Sequence, residues 1–436
     1  MTSQPRSSVV VPYITAAAAV VGLAAIVVLL GVGQTPGAAP ASSAPPVAVR
    51  GSASPGASLI ASQSVPSVPS AAPSALPAPS ATPTPTPAPG TWSKPATVAG
   101  FDTCFSVVAA IDDGGTHHLA ASCGSPGNEI RYAVSTDGHA WTTSILKPPT
   151  GRSELDPQLA FAGDTLYLAY SRVAPEEGGC GDDGLADVGV YYRTRTLPSG
   201  DWSEPTRIGE VADHLQSFRV SGSVIHATVT DEKEGRTFYE TLSGSTLGRY
   251  AIADAAGSSS LRVGDDGKGR VAYESTKGIA YGMVSGGQFS SVTIPNSTGG
   301  WNPVLILAPG NDAYLLWNRS DHGAGCAGGG PDPEDGTYFA TNASGKWVTT
   351  RITTLVGGAS LALDPATREL HAIVLGPNRL VYFHRAAGGA WTHANAVRRS
   401  AASAVIRQDP TTGALFVAYV SYPIEGPSFI QVTGRR

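Results

Sequence analysis

Residues 92–95 read Trp-Ser-Lys-Pro and residues 202–205 read Trp-Ser-Glu-Pro, and this aromatic start to a short polar strand recurs along the chain. The other occurrences begin at Trp141, Tyr250, Phe289, Trp347 and Trp391. Successive copies lie roughly 40 to 60 residues apart, a spacing that fits a four-stranded propeller blade with its loops.

Each repeat also contains two apolar strands joined by a tight turn. Gly, Asp, Asn or Pro at the bend supplies the positive or preset φ that a hairpin needs. The seven turns are 112–115, 162–164, 221–223, 265–268, 309–312, 364–367 and 409–412. No long stretch of residues 92–436 has a helical period, so this part of the chain is predicted to be all-β.

The number of strands predicts how the ring closes. After Trp391 the chain supplies only three strands of the last unit, ending near residues 429–432. The single strand from Trp92 to Val98 is the natural fourth, because pairing it with the last unit leaves no long sheet edge open. We therefore predict a seven-bladed β-propeller over residues 92–436. Six blades are the alternative, since the unit at Tyr250 is degenerate.

The first 91 residues do not resemble a folded domain. Residues 12–33 are apolar and long enough for a transmembrane helix, with residues 1–11 as a short cytoplasmic N-terminus. A cleaved secretory signal is the alternative. Residues 34–91 are rich in Pro, Ala, Ser and Thr, and they predict a disordered stalk. Either way, the propeller is expected outside the cytoplasm, held at the cell membrane by a single span if the segment is retained.

Charge and cysteine content narrow the function classes. A formal net charge of −5 with 14% charged residues argues against a nucleic-acid partner. Four cysteines are too few for a disulfide scaffold, although an oxidising compartment favours their pairing. Cys104 and Cys123 are centred on the turn at Asp113-Gly114 and are expected to face each other across the first hairpin. The other predicted pair is Cys180–Cys326; free thiols or another pairing are the alternatives.

Two connections between second and third strands are unusually long, from Arg172 to Val188 and from Arg319 to Gly336. Every blade runs its strands in the same order, so both connections are expected on one face, and binding residues concentrate on such loops. The residues predicted to bind ligand there are Arg172, Arg319, Asp156 and Asn302. The alternative for each arginine is a structural ion pair with a nearby carboxylate.

The same loops are rich in acids. Oxygen ligands suit Ca²⁺, and the candidates are Asp182, Asp183, Asp187, Asp332, Glu334 and Asp335. The alternative is a solvated acidic loop, and the nine histidines show no metal-ligand spacing. We therefore predict no resident metal or other cofactor apart from this calcium option. Arg219, Arg262 and Arg407 fall near the ends of three first strands, where they are expected to line the channel or to bond inward-facing carbonyls.

The segment Tyr132–Trp141 resembles the Asp-box, the bacterial neuraminidase (BNR) repeat of sialidase-like propellers. The matching residues are Ser135, Asp137, Gly138 and Trp141. Segments 199–202 and 344–347 look like eroded copies. The resemblance implies a propeller in which the Asp accepts amides of the turn between the third and fourth strands and the Trp packs between sheets. In that family the box is structural and lies away from the binding face.

Family members that are sialidases use three arginines, a Tyr–Glu pair and an Asp acid/base. Their early Phe/Tyr-Arg-Ile-Pro segment is absent here, and the adjacent Tyr239 and Glu240 are expected to point to opposite faces of a strand. If the chain is a glycoside hydrolase, the acids to test are Glu154, Asp156, Asp182 and Glu274. The leading prediction is a monomeric propeller, tethered to the membrane, that binds a glycan, a cell-wall polymer or a protein at its loop face. A structural or assembly module on a stalk is the third option.

Overall fold

Short apolar strands and tight turns build the whole of the described chain. The computed structural model describes residues 90–435 except 125–127, 175–187, 212, 232–234, 321–332, 399 and 424–425. Within these residues there are 28 β-strands and no helix, so the described part contains no helix able to cross a membrane.

The strands form seven four-stranded antiparallel sheets, the blades of a β-propeller. Blade 1 contains β2 Val108–Ile111, β3 His117–Cys123, β4 Glu129–Ser135 and β5 Thr142–Leu146. Blade 2 contains β6 Ser153–Ala162, β7 Thr165–Val173, β8 Gly189–Thr196 and β9 Thr206–Val211. Blade 3 contains β10 Asp213–Ser221, β11 Val224–Asp231, β12 Arg236–Ser243 and β13 Thr246–Ile252. Blade 4 contains β14 Ala255–Val263, β15 Gly269–Ser275, β16 Gly278–Ser285 and β17 Gln288–Thr293. Blade 5 contains β18 Gly300–Leu307, β19 Ala313–Arg319, β20 Gly336–Thr341 and β21 Val348–Thr353. Blade 6 contains β22 Ala359–Leu363, β23 Leu370–Gly376, β24 Arg379–Arg385 and β25 Trp391–Val397. Blade 7 contains β26 Ala401–Gln408, β27 Leu415–Ser421, β28 Phe429–Arg435 and β1 Ala96–Asp102.

The N-terminal strand closes the ring, as predicted. β1 is the outer strand of blade 7, with Ala96 opposite Val432 and Thr97 opposite Gln431 in β28. Ahead of it, Trp92 pairs with Arg435, and the Ser93 amide donates to the Gly434 carbonyl at 2.8 Å. The seven-bladed prediction is confirmed, and the six-bladed alternative is excluded.

The first strand of each blade lies at the centre of the ring, and the fourth lies at the rim. Neighbouring strands are antiparallel, so each inner strand begins on the side where the second strand ends and the third begins. We call that side the loop face, because β7 and β19 end there and β8 and β20 begin there. The opposite side, with the β-turns that join first to second strands, is the turn face.

In most blades the recurring aromatic residue packs against the preceding blade, whereas Tyr250 and Phe289 pack on Tyr239 and Tyr273 of their own blades. Four tryptophans meet a Tyr or Phe of the preceding blade edge to face, with ring centroids 5.1–5.3 Å apart: Trp202 on Tyr132, Trp347 on Tyr281, Trp391 on Phe339 and Trp92 on Tyr382. Such pairs add to the area that each ring buries. Trp92 makes this contact for blade 7, which explains why the repeat begins before the first complete blade.

Buried serines connect neighbouring blades near the axis. In each case the hydroxyl oxygen accepts the backbone amide of the next blade's inner strand. The pairs are Ser122–Asp156 (3.2 Å), Ser171–Leu215 (2.9 Å), Ser217–Leu261 (3.1 Å), Ser260–Leu305 (3.0 Å) and Ser360–Ile406 (3.1 Å). The inner strand is an edge strand, so these bonds satisfy amides that would otherwise lack a ladder partner.

The disulfide Cys104–Cys123 is present, although the hairpin between the cysteines differs from the prediction. A two-residue turn at Asp113-Gly114 was expected; instead, residues 112–116 separate β2 from β3, with Ile111 opposite His117. That register alone would place the cysteines one residue out of alignment. The chain between Cys104 and Val108 absorbs the offset, and Cys104 and Cys123 pair as an isolated bridge with their Cα atoms 3.9 Å apart. Cys180 and Cys326 lie outside the described residues.

The turn between β4 and β5 has the geometry that its sequence suggests. Asp137 Oδ1 accepts the amides of Ala140 (2.8 Å) and His139 (2.7 Å), together with the Ser135 hydroxyl (2.9 Å). These bonds lower the pKa of Asp137 to about 2. Gly138 has a φ of 72°, a conformation that favours glycine, and Trp141 packs against Phe416 of blade 7.

Candidate functional site

Five inner strands contain β-bulges near their loop-face ends, where the central channel opens. Blades 2, 3, 4, 5 and 7 each have a register shift in the first half of the inner strand. The residues between the flanking pairs are 156–157, 216, 256–258, 302–303 and 402–403. Bulges free backbone groups and redirect side chains, and they are common beside binding sites. We call these five bulges the channel mouth.

Asp156 and Asn302 occupy equivalent bulges in blades 2 and 5. Both have left-handed backbones, with φ of 53° and 51°, and a proline follows each of them. Asp and Asn tolerate this conformation better than most other residues. The sequence placed both residues on one surface, and the structure places both at the channel mouth.

Asp156 faces His214 of the next blade. Its Oδ2 lies 3.4 Å from the His214 Nε2, and the two side chains are 35% and 15% exposed. Burial raises the pKa of Asp156, and the positive charge of a protonated His214 opposes that increase. Together the carboxyl group and the imidazole offer both donor and acceptor atoms, as recognition of a hydroxyl-rich ligand requires.

Arg172 is engaged with Glu154, directly across the β6–β7 ladder. Its Nη2 and Nε donate to Glu154 Oε1 at 2.8 and 3.2 Å, and its guanidinium carbon lies 4.1 Å from the centre of the Tyr191 ring. Both members of the ion pair are buried. This contact matches the structural alternative for Arg172, and it occupies a carboxylate that was a catalytic candidate.

Arg319, Glu334 and Glu274 also have partners near the loop face. Arg319 Nη2 contacts Glu334 Oε2, so the acid predicted as a calcium ligand takes part in an ion pair. Burial raises the pKa of Glu274, whereas hydrogen bonds from Ser258 lower it. A Cβ on Gly257 would clash with the Glu274 carboxyl, so the blade 4 bulge is tightly fitted around this acid.

Several predicted residues lie outside the described part of the chain. They are Asp182, Asp183, Asp187 and Asp332. Within the described ranges, no group of three or more His, Cys, Asp or Glu side chains is arranged to hold a metal ion. The calcium prediction therefore stays a prediction about the two long connections.

A buried acidic cluster beside the channel mouth was not predicted from the sequence. Arg249 Nη1 and Nη2 donate to the two Asp213 carboxylate oxygens at 2.8 and 3.0 Å, Nη2 also lies 3.2 Å from Asp231 Oδ2, and Nη1 contacts Glu240 Oε1. Glu240 Oε2 is buried with no hydrogen-bond partner among the described residues. Burial, followed by the charge of Asp213, raises the pKa of Glu240 to about 7.

This cluster belongs to the interface between blades 2 and 3. A Cβ on Gly209 of β9 would lie 2.6 Å from both Asp213 Oδ2 and Glu240 Oε2, so only glycine fits there. Tyr239 packs with Ile252 and Tyr273 on the other side of the sheet, which confirms that Tyr239 and Glu240 point to opposite faces. The three acids and the arginine come from the four strands of blade 3, with Glu240 directly opposite Arg249 and Asp213 opposite Asp231.

Comparisons with known proteins identify the fold. No family model matches the chain, and no curated protein matches it. Among solved structures, hydrazine synthase from Kuenenia stuttgartiensis matches with a TM-score of 0.51 and 10% identity, over 74% of this chain and 94% of that one. The Cps50 (Swd1) β-propeller domain from Myceliophteria thermophila matches with a TM-score of 0.50 and 12% identity, over 79% of this chain and 99% of that one.

Sialidases are also among the structural neighbours. The Trypanosoma rangeli sialidase in complex with the inhibitor DANA matches with a TM-score of 0.45 and 10% identity, over 76% of this chain and 55% of that one. This chain thus spans about half the length of that sialidase. At these identities the similarities show the propeller fold alone.

Proposed function

We propose that this chain is a membrane-tethered, extracytoplasmic propeller that binds a glycan, a cell-wall polymer or a protein at the channel mouth. The observation that carries the proposal is the Asp156–His214 pair, set in a ring of five inner-strand bulges on the face of the two long connections. The apolar segment 12–33 and the Pro-rich stalk 34–91 support presentation of the propeller outside the cytoplasm. The turn at Asp137 supports a distant relation to Asp-box propellers.

Binding fits the described arginines better than hydrolysis of a sialic acid does. Arg172 pairs with Glu154 and Arg319 with Glu334, so each of these guanidiniums already has a carboxylate partner. Hydrolysis at the channel mouth would need a free cluster of arginines there to hold a substrate carboxylate. Hydroxyl-rich ligands need no such cluster, since a carboxyl–imidazole pair and the exposed Asn302 can bond them.

A glycoside hydrolase is the second candidate, and one observation favours it. Burial raises the pKa of both Asp156 and Glu274, and a general acid must keep its proton near neutral pH. Hydrolysis would also need a second carboxylate at a matched distance across the scissile bond.

The test compares binding by the purified full-length chain and its Asp156→Asn variant to a glycan array and to soluble peptidoglycan fragments. Asn occupies the equivalent bulge at position 302, so the variant is expected to fold while losing the carboxylate. We expect binding to weaken about tenfold, as for loss of one charge-assisted hydrogen bond. Asp266→Asn, which removes an acid on the turn face, is the matched control and should leave binding unchanged.

Two results would contradict the binding proposal. One is binding by Asp156→Asn equal to that of the unmodified chain; the other is binding of no member of either panel, which would favour the assembly module. Turnover of fluorogenic glycosides that Asp156→Asn abolishes would instead select the hydrolase.

A further inference from the structure

Three arginines occupy one repeated position near the turn-face end of the inner strands. Arg219 lies opposite His226, Arg262 opposite Arg270, and Arg407 opposite Phe416. Every blade has a residue at this position of the inner strand, directly opposite a residue of the second strand. The other four blades have uncharged residues there: Ala110, Ala160, Ile306 and Ala362.

The ring order brings these three arginines toward one another. Inner strands of consecutive blades are in contact all the way round, from β2 and β6 to β22, β26 and back to β2. In a ring of seven, blade 7 lies opposite blades 3 and 4. Arg407 therefore faces Arg219 and Arg262 across the central channel. Burial and then the charge of Arg407 lower the pKa of Arg219 to about 9.

Their hydrogen bonds leave most of the donors unused. Arg219 Nη1 donates to the Phe218 carbonyl, and Arg262 Nη1 donates to the Leu261 carbonyl at 2.8 Å. Arg407 Nη1 donates to the Ile406 carbonyl at 2.7 Å, and its Nε donates to the Ala109 carbonyl of blade 1 at 2.8 Å. These bonds agree with the expectation that the arginines bond inward-facing carbonyls. A guanidinium has five N–H donors, so each keeps several for a further acceptor.

Within the described part of the chain, none of the three arginines forms an ion pair with a carboxylate. Burial also lowers the pKa of Arg407 to about 10, and no acidic group opposes the decrease. The three arginines are half-buried, and like charges that are partly removed from water without a counter-charge are costly, so a bound anion would reduce that cost. The neighbouring Ala110, Ala160 and Ala362 have short side chains at the same level, so the channel is not filled from those blades.

We propose that Arg219, Arg262 and Arg407 bind a tetrahedral oxyanion, a phosphate or sulfate group, inside the channel near the turn face. Guanidinium groups match the oxygen spacing of such anions, and three of them approaching from separate blades suit a tetrahedral group with two or more charges. The group is either a free ion or the head of a monoester that enters the channel. The site is separate from the channel mouth and does not depend on the function proposed for it.

The test measures thermal unfolding of the full-length chain in buffers of equal ionic strength that contain chloride, acetate, inorganic sulfate, inorganic phosphate or glycerol 3-phosphate. A ligand that binds only the folded state raises the unfolding midpoint. We expect inorganic phosphate or sulfate to raise it above the chloride value and acetate to have little effect. An unfolding midpoint in glycerol 3-phosphate above that in inorganic phosphate would identify a monoester as the ligand. A midpoint no higher than that in inorganic phosphate would identify the free ion.

The variants are Arg219→Gln and Arg262→Gln, because the hydrogen bond described for each of these side chains goes to the carbonyl of the preceding residue in its own strand. We expect each to weaken phosphate or sulfate binding about tenfold by titration calorimetry, as for the loss of hydrogen bonds to a charged group. In chloride alone, each variant should unfold at the same temperature as the unmodified chain or higher, since one uncompensated charge has been removed. Arg368→Gln, on an exposed arginine paired with Asp312, is the control and should bind as the unmodified chain does.

Three outcomes would overturn the proposal. The first is that phosphate and sulfate stabilise the unmodified chain no more than chloride or acetate. The second is that Arg219→Gln and Arg262→Gln bind the anions as tightly as Arg368→Gln does. The third is that both variants unfold at lower temperature in chloride and respond fully to phosphate, which would assign the arginines to strand support alone.

Discussion

The carboxyl group of Glu240 is buried close to the charge of Asp213, and both effects oppose its ionisation. Its folded pKa of about 7 lies above the ordinary value of 4.5, so between these values the folded chain binds a proton that the unfolded chain has lost. The stability from this proton is fully present below about pH 4.5 and is lost as the pH rises through 7. At pH 8 the ionised Glu240 therefore destabilises the interface between blades 2 and 3.

We expect Glu240→Gln to stabilise the protein at pH 8 by about 1–3 kcal/mol and to have little effect at pH 5. A glutamine amide can donate to Asp213, and its oxygen can still accept from Arg249. Urea unfolding at both pH values measures the difference. Glu204→Gln, on an exposed side chain, is the control, and a Glu240→Gln variant that is less stable than the unmodified chain at pH 8 would contradict this account.

Single residues also show what sequence reasoning could reach. Glu154 and Arg172 were both candidate site residues, and their midpoint, residue 163, falls in the turn between β6 and β7. The centring argument that paired Cys104 with Cys123 would thus have paired these two as well. Glu240 and Arg249 lie directly opposite each other as well, centred on the turn between β12 and β13, so the same argument reaches this pair. Asp213 lies two strands away from Glu240 in the same blade, and no spacing in the sequence marks its approach to Arg249.

Among the elements, β1 has a particular role because it joins the two ends of the described chain. Trp92 packs on Tyr382 of blade 6 at 5.3 Å, and the Arg435 guanidinium lies 4.6 Å from the same Tyr382 ring. Every other outer strand follows directly in the chain from the third strand of its own blade. β1 is attached to its blade only by hydrogen bonds and packing, so its contacts hold the ring shut.

We expect Trp92→Ala to cost about 2–3 kcal/mol, less than a fully buried tryptophan because the ring is half-buried. Loss of the Trp92 indole should also speed amide hydrogen exchange throughout β1 and β28, since these two paired strands would separate as a unit. Trp347→Ala removes the equivalent contact between blades 4 and 5, where a turn holds the outer strand, and its exchange should increase only locally. Equal, purely local effects of the two substitutions would argue against a closing role for β1.

The sequence predicted the strand count and the closing strand because a period-two pattern and turn residues recur in every blade. It did not predict the channel-mouth bulges, although it placed Asp156 and Asn302 together on the loop face. A bulge depends on one extra residue relative to a partner strand, and that count is visible only once the register is known. The first hairpin shows the same limit, since the cysteines pair although the turn has five residues.

Across the whole molecule, three blades share a buried His–Tyr pair, and this repeat links the fold to pH. His118, His226 and His371 each place Nδ1 2.6–2.8 Å from the hydroxyl of Tyr132, Tyr239 or Tyr382. Blades 2 and 5 have stacked rings at the same positions, Tyr167 on Tyr192 and Tyr314 on Phe339, with no base. Burial lowers the pKa of His226 and His371 to about 4 and also lowers that of His118.

These histidines predict an acid-sensitive propeller. Each folded pKa lies below the ordinary value of 6.5, so between pH 6.5 and about 4 the unfolded chain binds protons that the folded chain does not. Stability is therefore complete above pH 6.5 and is lost as the pH falls toward 4, by up to about 3 kcal/mol for each of His226 and His371. Asp156, Glu240 and Glu274, whose pKa values burial raises, act in the opposite direction over part of this range. A single histidine substitution separates one contribution from this balance.

We expect His226→Phe to make the unfolding midpoint less dependent on pH between 6.5 and 4. The substitution reproduces the stacked arrangement of blade 5, and Tyr239 keeps a hydrogen bond from the Gly269 amide. Urea unfolding at intervals across this range gives the slope, which should decrease by about one proton relative to the unmodified chain. His139→Gln, on an exposed histidine in the turn after Asp137, should leave the slope unchanged. If His226→Phe keeps the full slope, the buried His–Tyr pairs are not the source of the acid sensitivity. The pairs would then serve only to fill the same space as the stacked rings of blades 2 and 5.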